Sequence, residues 1–167
     1  MAYYDDLAKG YNELHRAEQE KKLRIIAEHI SITPYTTLLD VGCDTGISTA
    51  FWKCHAIGID QSHGLIEIAR DTYSGIHFIE GKAESLPFGD DAFDVVISVT
   101  ALQNVEDVQQ AVAEIHRVAV QDAAITFLRK SGKREAIDAA IGSLFAIRHR
   151  IEEEKDIICI CEKKPLA

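Results

Sequence analysis

The sequence predicts a single α/β domain built on a doubly wound, mostly parallel sheet with a C-terminal antiparallel hairpin. Three observations carry that expectation. Between residues 37 and 128, five short β-rich runs alternate with segments of helical periodicity. The first run, TLLDV, leads straight into a glycine turn, GCDTG. Near the end, AIRHRIEE and DIICICEK are separated only by Glu154 and Lys155, which suits a hairpin and leaves no room for a crossover helix. At 167 residues the chain is long enough to bury about 70% of its unfolded surface in one core, so 1–167 reads as one domain.

Taken in order, residues 1–33 read as an N-terminal helical arm. Leu23, Ile26, Ala27 and Ile30 form an apolar stripe at helical spacing, Glu18 and Lys22 pair across one turn, and Pro34 closes the arm. Strands are predicted at 37–41, 56–60, 76–80, 93–99 and 123–128. A helix is expected to begin near Ile47. From Ser62 to Tyr73, Leu65, Ile66 and Ala69 share a face; from Asp107 to Val118, Val108, Ala111, Val112, Ile115 and Val118 share another. Right-handed crossovers through such helices make the strands parallel.

Composition narrows the function classes. With 47% hydrophobic residues and no apolar run near the roughly 20 residues a span requires, nothing points to a membrane. The opening MAYYDDLAKG is acidic where a secretory signal would be positive and then apolar, so a cytoplasmic protein is expected. A net charge of −9 repels a nucleic-acid backbone, and the short basic run RKSGKR reads as a solvated loop, against direct nucleic-acid binding by this chain. Cys43, Cys54, Cys159 and Cys161 show no CxxC spacing and read as buried thiols in preference to disulfides or metal ligands. None of the seven histidines has the i, i+4 spacing of a helical metal pair, so they read as surface or packing residues and no metal is expected.

In open α/β sheets, ligands bind beyond the carboxyl ends of the strands where strand order reverses. Here that place is DVGCDTG, in which Gly42 and Gly46 permit a sharp turn and close approach to a ligand. Asp60 ends the second strand 20 residues after Asp40, the spacing at which a carboxylate meets ribose hydroxyls; capping the next helix is its alternative role. GKAESLPF places Ala83 and Glu84 after the third strand. The fourth strand ends at Ser98 and continues as SVTALQNVED.

The succession DVGCDTG, GIDQS and GKAESLPFGDDAFDVVISVTALQNVED resembles the class I S-adenosylmethionine-dependent methyltransferases, in particular the branch with the ubiquinone and menaquinone C-methyltransferases. The likeness covers nearly the whole chain, including YYDDLAKGYNEL and the final hairpin, and implies a Rossmann-like fold. It implies that Gly42, Cys43, Asp44 and Gly46 face the methionine part of S-adenosylmethionine, Asp60 its ribose, and Gln61, Ala83 and Glu84 its adenine region. By the same resemblance Tyr11 covers the site, and Ser98 and Gln103 line it near the sulfonium. Asp40 either orients the cofactor's amino group or accepts local N–H groups in the turn. A cleft lined by Asp40, Asp44, Asp60 and Glu84 favours a sulfonium and an ammonium and disfavours a dinucleotide's phosphates.

The sequence departs from that branch in two places, and a further absence argues against other branches. The family's A-L-H-H histidines are replaced by Gln103 and Asn104, which orient an acceptor but cannot remove a proton, so an already nucleophilic small-molecule acceptor is expected. AVQDAAITF lacks the family's K-P-G-G turn, and no N-P-P-Y motif follows the fourth strand, against the adenine-N6 and glutamine-N5 branches. A nicotinamide dehydrogenase would require G-x-G-x-x-G and a second domain, and the sequence supplies neither. Two other readings stand beside the enzyme: a non-catalytic cofactor-binding or structural subunit, and a methyltransferase activated by a small partner protein and acting on tRNA or a translation factor. In the latter the third strand, IHFIE, is the candidate docking edge.

Overall fold

Seven strands form one sheet in the order β3-β2-β1-β4-β5-β7-β6. The computed structural model describes residues 2–165, with the side chains of residue 10 and residues 12–165. Strands β1 (Thr37–Val41), β2 (His55–Asp60), β3 (His77–Glu80), β4 (Phe93–Val99) and β5 (Ala119–Leu128) run parallel. β6 (Phe145–Glu152) and β7 (Asp156–Lys163) form the predicted hairpin, with β7 inserted antiparallel between β5 and β6. Strand order reverses between β1 and β4, the position at which an open α/β sheet offers a crevice.

The helices are α1 (Ala2–His29), α2 (Ile47–Ala50), α3 (His63–Thr72), α4 (Val108–Val118) and α5 (Arg134–Leu144). Alternation along the strands sorts the core into two layers. Leu38, Val95 and Ile97 pack with Leu23 and Ile26 of α1 and with Ile30 just after it, while Leu39 and Val96 pack with Val112 and Ile115 of α4 and Ile137 and Ile141 of α5. A third cluster joins Cys43, Ile66, Ala69 and Phe78. All four cysteines are free, and burial pushes the Cys159 thiol up to about 11.

Several expectations need correction. Lys22 does not pair with Glu18: Glu18 meets Lys155 at 2.9 Å, and Lys22 turns inward to Asp156 at 3.3 Å. Ala27 is exposed, so the arm's stripe consists of Leu23, Ile26 and Ile30. β5 starts four residues earlier than predicted, at Ala119, where polar residues extend the strand past a register shift opposite Phe93 and Val95. The helix near Ile47 is a single turn of four residues. α5 is an additional helix; its buried Ile137, Ala140 and Ile141 are spaced for one face, and Gly142 and Ser143 weaken the propensity signal. The basic run before it is tied down locally, with Arg129 donating to Glu153 O at 3.1 Å and Lys133 donating to Val105 O.

Candidate functional site

The turn after β1 is built by three consecutive demands on the backbone. Gly42 has φ +76°, Asp44 +53° and Gly46 +92°, all left-handed. At Gly42 a side chain would also collide with Ala101 Cβ, so only glycine fits. Asp44 tolerates its left-handed conformation because its carboxylate hydrogen-bonds locally, accepting the Thr45 N–H at 2.6 Å. The Gly42 and Cys43 N–H groups donate to Ile59 O at 2.8 and 3.0 Å, which pins the turn to β2.

Asp60 holds the outer side of the same turn. Its Oδ2 accepts the Asp44 N–H and its Oδ1 the Ser62 N–H, both at 2.9 Å. Ser62, rather than Asp60, caps α3 by accepting the Leu65 N–H at 3.3 Å. The carboxylate therefore organises the loops, and each oxygen retains a lone pair for a further donor.

Beneath the turn lies Asp40, completely buried. Its Oδ2 accepts the Ser48 and Thr49 hydroxyls at 2.5 and 2.8 Å, while Oδ1 is buried without any partner. The expected local N–H donors are thus replaced by two hydroxyls of α2. Burial raises the carboxyl to about 6; the two hydroxyls pull it down, and nearby Asp60 and Asp44 push it further up. Cys43 is driven far above the ordinary thiol range by burial and then by Asp40, so it is not a nucleophile.

A cavity of about 310 Å³ opens at the carboxyl ends of β1, β2 and β4. Among the predicted site residues, Gly42, Cys43, Asp44, Asp60, Gln61, Ala83, Glu84, Ser98 and Asn104 line it. Asp40 and Gly46 stand behind the wall, and Gln103 turns away to donate to Thr100 O at 2.8 Å. The side chain of Tyr11 lies outside the described residues. Ser98 is fully buried and donates to Val41 O at 3.0 Å, bridging β4 to β1. The Glu84 carboxylate faces the start of α4, where its Oε2 accepts the Glu106 N–H at 3.2 Å.

Sequence reasoning missed two groups. His15 and Gln19, one helical turn apart on α1, both line the cavity, and Gln19 Oε1 is buried without a partner. Their i, i+4 spacing was the available signal. Thr100 also lines it, with a left-handed φ of 56° that is uncommon for a β-branched residue and costs on the order of 1–3 kcal/mol. The Thr100 N–H donates to Thr126 O at 3.0 Å and Thr126 Oγ1 at 2.9 Å, and the Lys22 ammonium donates to Thr100 Oγ1 at 2.7 Å.

The donor set suits a cationic ligand. Asp44, Asp60 and Glu84 line the cavity, no Lys or Arg occurs among its described lining residues, and the orphaned Asp40 oxygen lies below. No group of three or more His, Cys, Asp or Glu among the described residues is placed to hold a metal. No described helix is long and apolar enough to cross a membrane.

Known proteins agree with the architecture. A demethylmenaquinone methyltransferase of Renibacterium salmoninarum is 30% identical over 124 residues, 70% of this chain and 52% of the relative. A malonyl-[acyl-carrier protein] O-methyltransferase of Pectobacterium atrosepticum is 27% identical over 120 residues, 70% of this chain and 46% of the relative. The chain thus spans about half the length of these curated relatives. A TehB-like S-adenosylmethionine-dependent methyltransferase of Corynebacterium glutamicum shares the fold, with a TM-score of 0.73 at 19% identity over 98% of this chain and 99% of that one. The expected class I fold is therefore the observed one. Residues 39–127, more than half of the chain, match the methyltransferase domain family, and the chain belongs to it.

Proposed function

We propose that the chain transfers the methyl group of S-adenosylmethionine to a small-molecule acceptor. The observation that carries this reading is the cavity at the β1/β4 reversal, with three carboxylates, no described lining Lys or Arg, and a buried carboxylate oxygen awaiting a donor beneath it. Bound there, the cofactor supplies an electrophilic methyl group on a sulfonium. The turn from Gly42 to Gly46 would receive its methionine part, Asp60 its ribose, and Gln61, Ala83 and Glu84 its adenine region. Asp40 supports the ammonium from below by charge, a field effect that is strong because the group is buried. Tyr11 and the arm would cover the site.

The acceptor would enter on the side of α1 and the turn after β4, since the ends of β1 to β3 are assigned to the cofactor. Holding two reactants in attack geometry supplies roughly 7–11 kcal/mol of a barrier, so positioning is the main task of this wall. Asn104 lines it, whereas Gln103 is bonded to the turn, so Asn104 is the better candidate to orient the acceptor. His15 adds an imidazole to the cavity on the side left for the acceptor. The relatives' names cover a quinone precursor and a malonyl thioester, so family membership leaves the acceptor open. An activating partner protein would find a backbone edge at β3, one of the two edge strands of the sheet.

Calorimetry with S-adenosylhomocysteine, followed by incubation with methyl-labelled S-adenosylmethionine and fractionated cell extract, tests the reading. Saturable binding and label in a small-molecule fraction are expected. Binding without transfer to any fraction would establish the non-catalytic subunit instead, and absence of binding would refute both. Label in RNA or protein would move the acceptor to those classes.

A further inference from the structure

Three distant points of the chain meet behind the acceptor side of the cavity. Lys22 of α1, only 6% exposed, donates to Thr100 Oγ1 at 2.7 Å and to Asp156 Oδ1 at 3.3 Å; Asp156, the first residue of β7, is itself buried. Thr100 follows β4, and its hydroxyl also lies 3.1 Å from Thr126 Oγ1 of β5 and 3.3 Å from Asp156 Oδ1. Thr100 is the left-handed residue of the turn, and its carbonyl in turn accepts the Gln103 amide. A buried ammonium, a buried carboxylate and a strained cavity-wall residue thus form one network.

The arrangement is unusual on both counts. A lysine is seldom buried unless paired, and a β-branched residue seldom holds a positive φ unless its surroundings impose it. Each explains the other: the ammonium finds its oxygens only where Thr100 is left-handed, and Thr100 is held there by bonds to its N–H and its hydroxyl. Thr126 and Asp156 hold Thr100 from the sheet, and Lys22 adds the one bond that exists only while α1 is seated.

We propose that Lys22 is a positioning residue that couples the seating of α1 to the shape of the acceptor wall, acting through Thr100. The assignment rests on the methyltransferase reading above and adds to it a residue outside the cavity wall. With α1 seated, Thr100 is fixed and residues 101–105 form the wall; with α1 displaced, the turn relaxes and the wall is lost, while the turn after β1 is unchanged.

The full chain carrying Lys22→Met or Thr100→Gly tests this. In Lys22→Met, amide hydrogen exchange at residues 101–105 is expected to rise at least tenfold with β1 unchanged, S-adenosylhomocysteine affinity to stay within threefold, and label transfer to fall at least tenfold. Thr100→Gly removes the backbone strain, which offsets the loss of the hydroxyl that accepts the Lys22 ammonium, so its thermal midpoint should stay near that of wild type while transfer still falls at least tenfold. A merely structural lysine predicts the reverse for Thr100→Gly, transfer following stability. Wild-type transfer in Thr100→Gly, or unchanged exchange at residues 101–105 in Lys22→Met, would overturn the proposal. If Lys22→Met does not fold, Thr100→Gly decides. If the wild-type chain binds S-adenosylhomocysteine but transfers nothing, the enzymatic reading fails, and the exchange result alone decides whether Lys22 shapes the turn.

Discussion

Replacing Asp40 by Asn is expected to make the folded protein more stable at neutral pH and a weaker binder of its cofactor. The carboxyl rises from an ordinary value of 3.8 to about 6 because burial penalises its charge, and that difference corresponds to about 3 kcal/mol. Between those values the folded state holds a proton that the unfolded state has released, so stability falls as pH rises from about 4 to about 6 and is level above. Asn keeps a carbonyl oxygen for the Ser48 and Thr49 hydroxyls and removes the charge, while the buried N–H donors it sets in place of Oδ1 offset part of the gain. The expected gain at pH 7.5 is therefore up to about 3 kcal/mol, or about 6–12 °C in midpoint for a chain of this size, and none at pH 4. Trp52 is the only tryptophan and is buried, so its fluorescence reports unfolding directly. An ammonium near the carboxylate would favour the charged form, so wild-type affinity for S-adenosylhomocysteine should decline as pH falls below about 6, while the variant binds more weakly and without that dependence. A variant less stable than wild type at pH 7.5, with an undiminished slope between pH 4 and 6, would refute the reasoning.

Other substitutions probe the same site. Gly42→Ala places a side chain at φ +76° against Ala101, and should cost more than about 1 kcal/mol and abolish S-adenosylhomocysteine binding; a normal titration would contradict the turn geometry. In Asp60→Ala, the Asp44 and Ser62 N–H groups lose their acceptor, so stability should drop by about 0.5–1.5 kcal/mol and calorimetric affinity by at least tenfold. Ser98→Ala leaves Val41 O without its hydroxyl donor at a cost of about 1 kcal/mol, read by denaturant midpoint, with binding little changed.

The strands and the turn were legible because their signals are local. TLLDV and FDVVISV are bounded in the structure where the sequence places them, since buried apolar runs end at residues that cannot continue a strand. The hairpin was readable from the short gap before Asp156. Side-chain partnerships were not. Lys22 was assigned to Glu18 because an i, i+4 pair is visible in one dimension, yet its partners lie 78 and 134 residues away. His15 and Gln19 carry no motif; their role as lining residues appears only when α1 is laid over the crevice. Cofactor-side residues follow strand ends and are predictable by topology, whereas the acceptor wall is assembled from loops and a helix arm and must be seen.

The place of β7 between β5 and β6 has a consequence for biosynthesis. The edge strand β6 is translated before the strand that joins it to the sheet, and β7 pairs with β5 as well. At roughly 5–20 residues per second, the eleven residues from Glu152 to Lys163 leave β6 unpaired on the nascent chain for about a second. During that time its Arg148 and Arg150 discourage pairing with other chains, as charges on an open strand edge do. The more apolar strand, DIICICEK, reaches a waiting slot with a partner on each side and so never has to persist as an open edge. Synthesis order and sheet order thereby protect the more apolar strand of the hairpin.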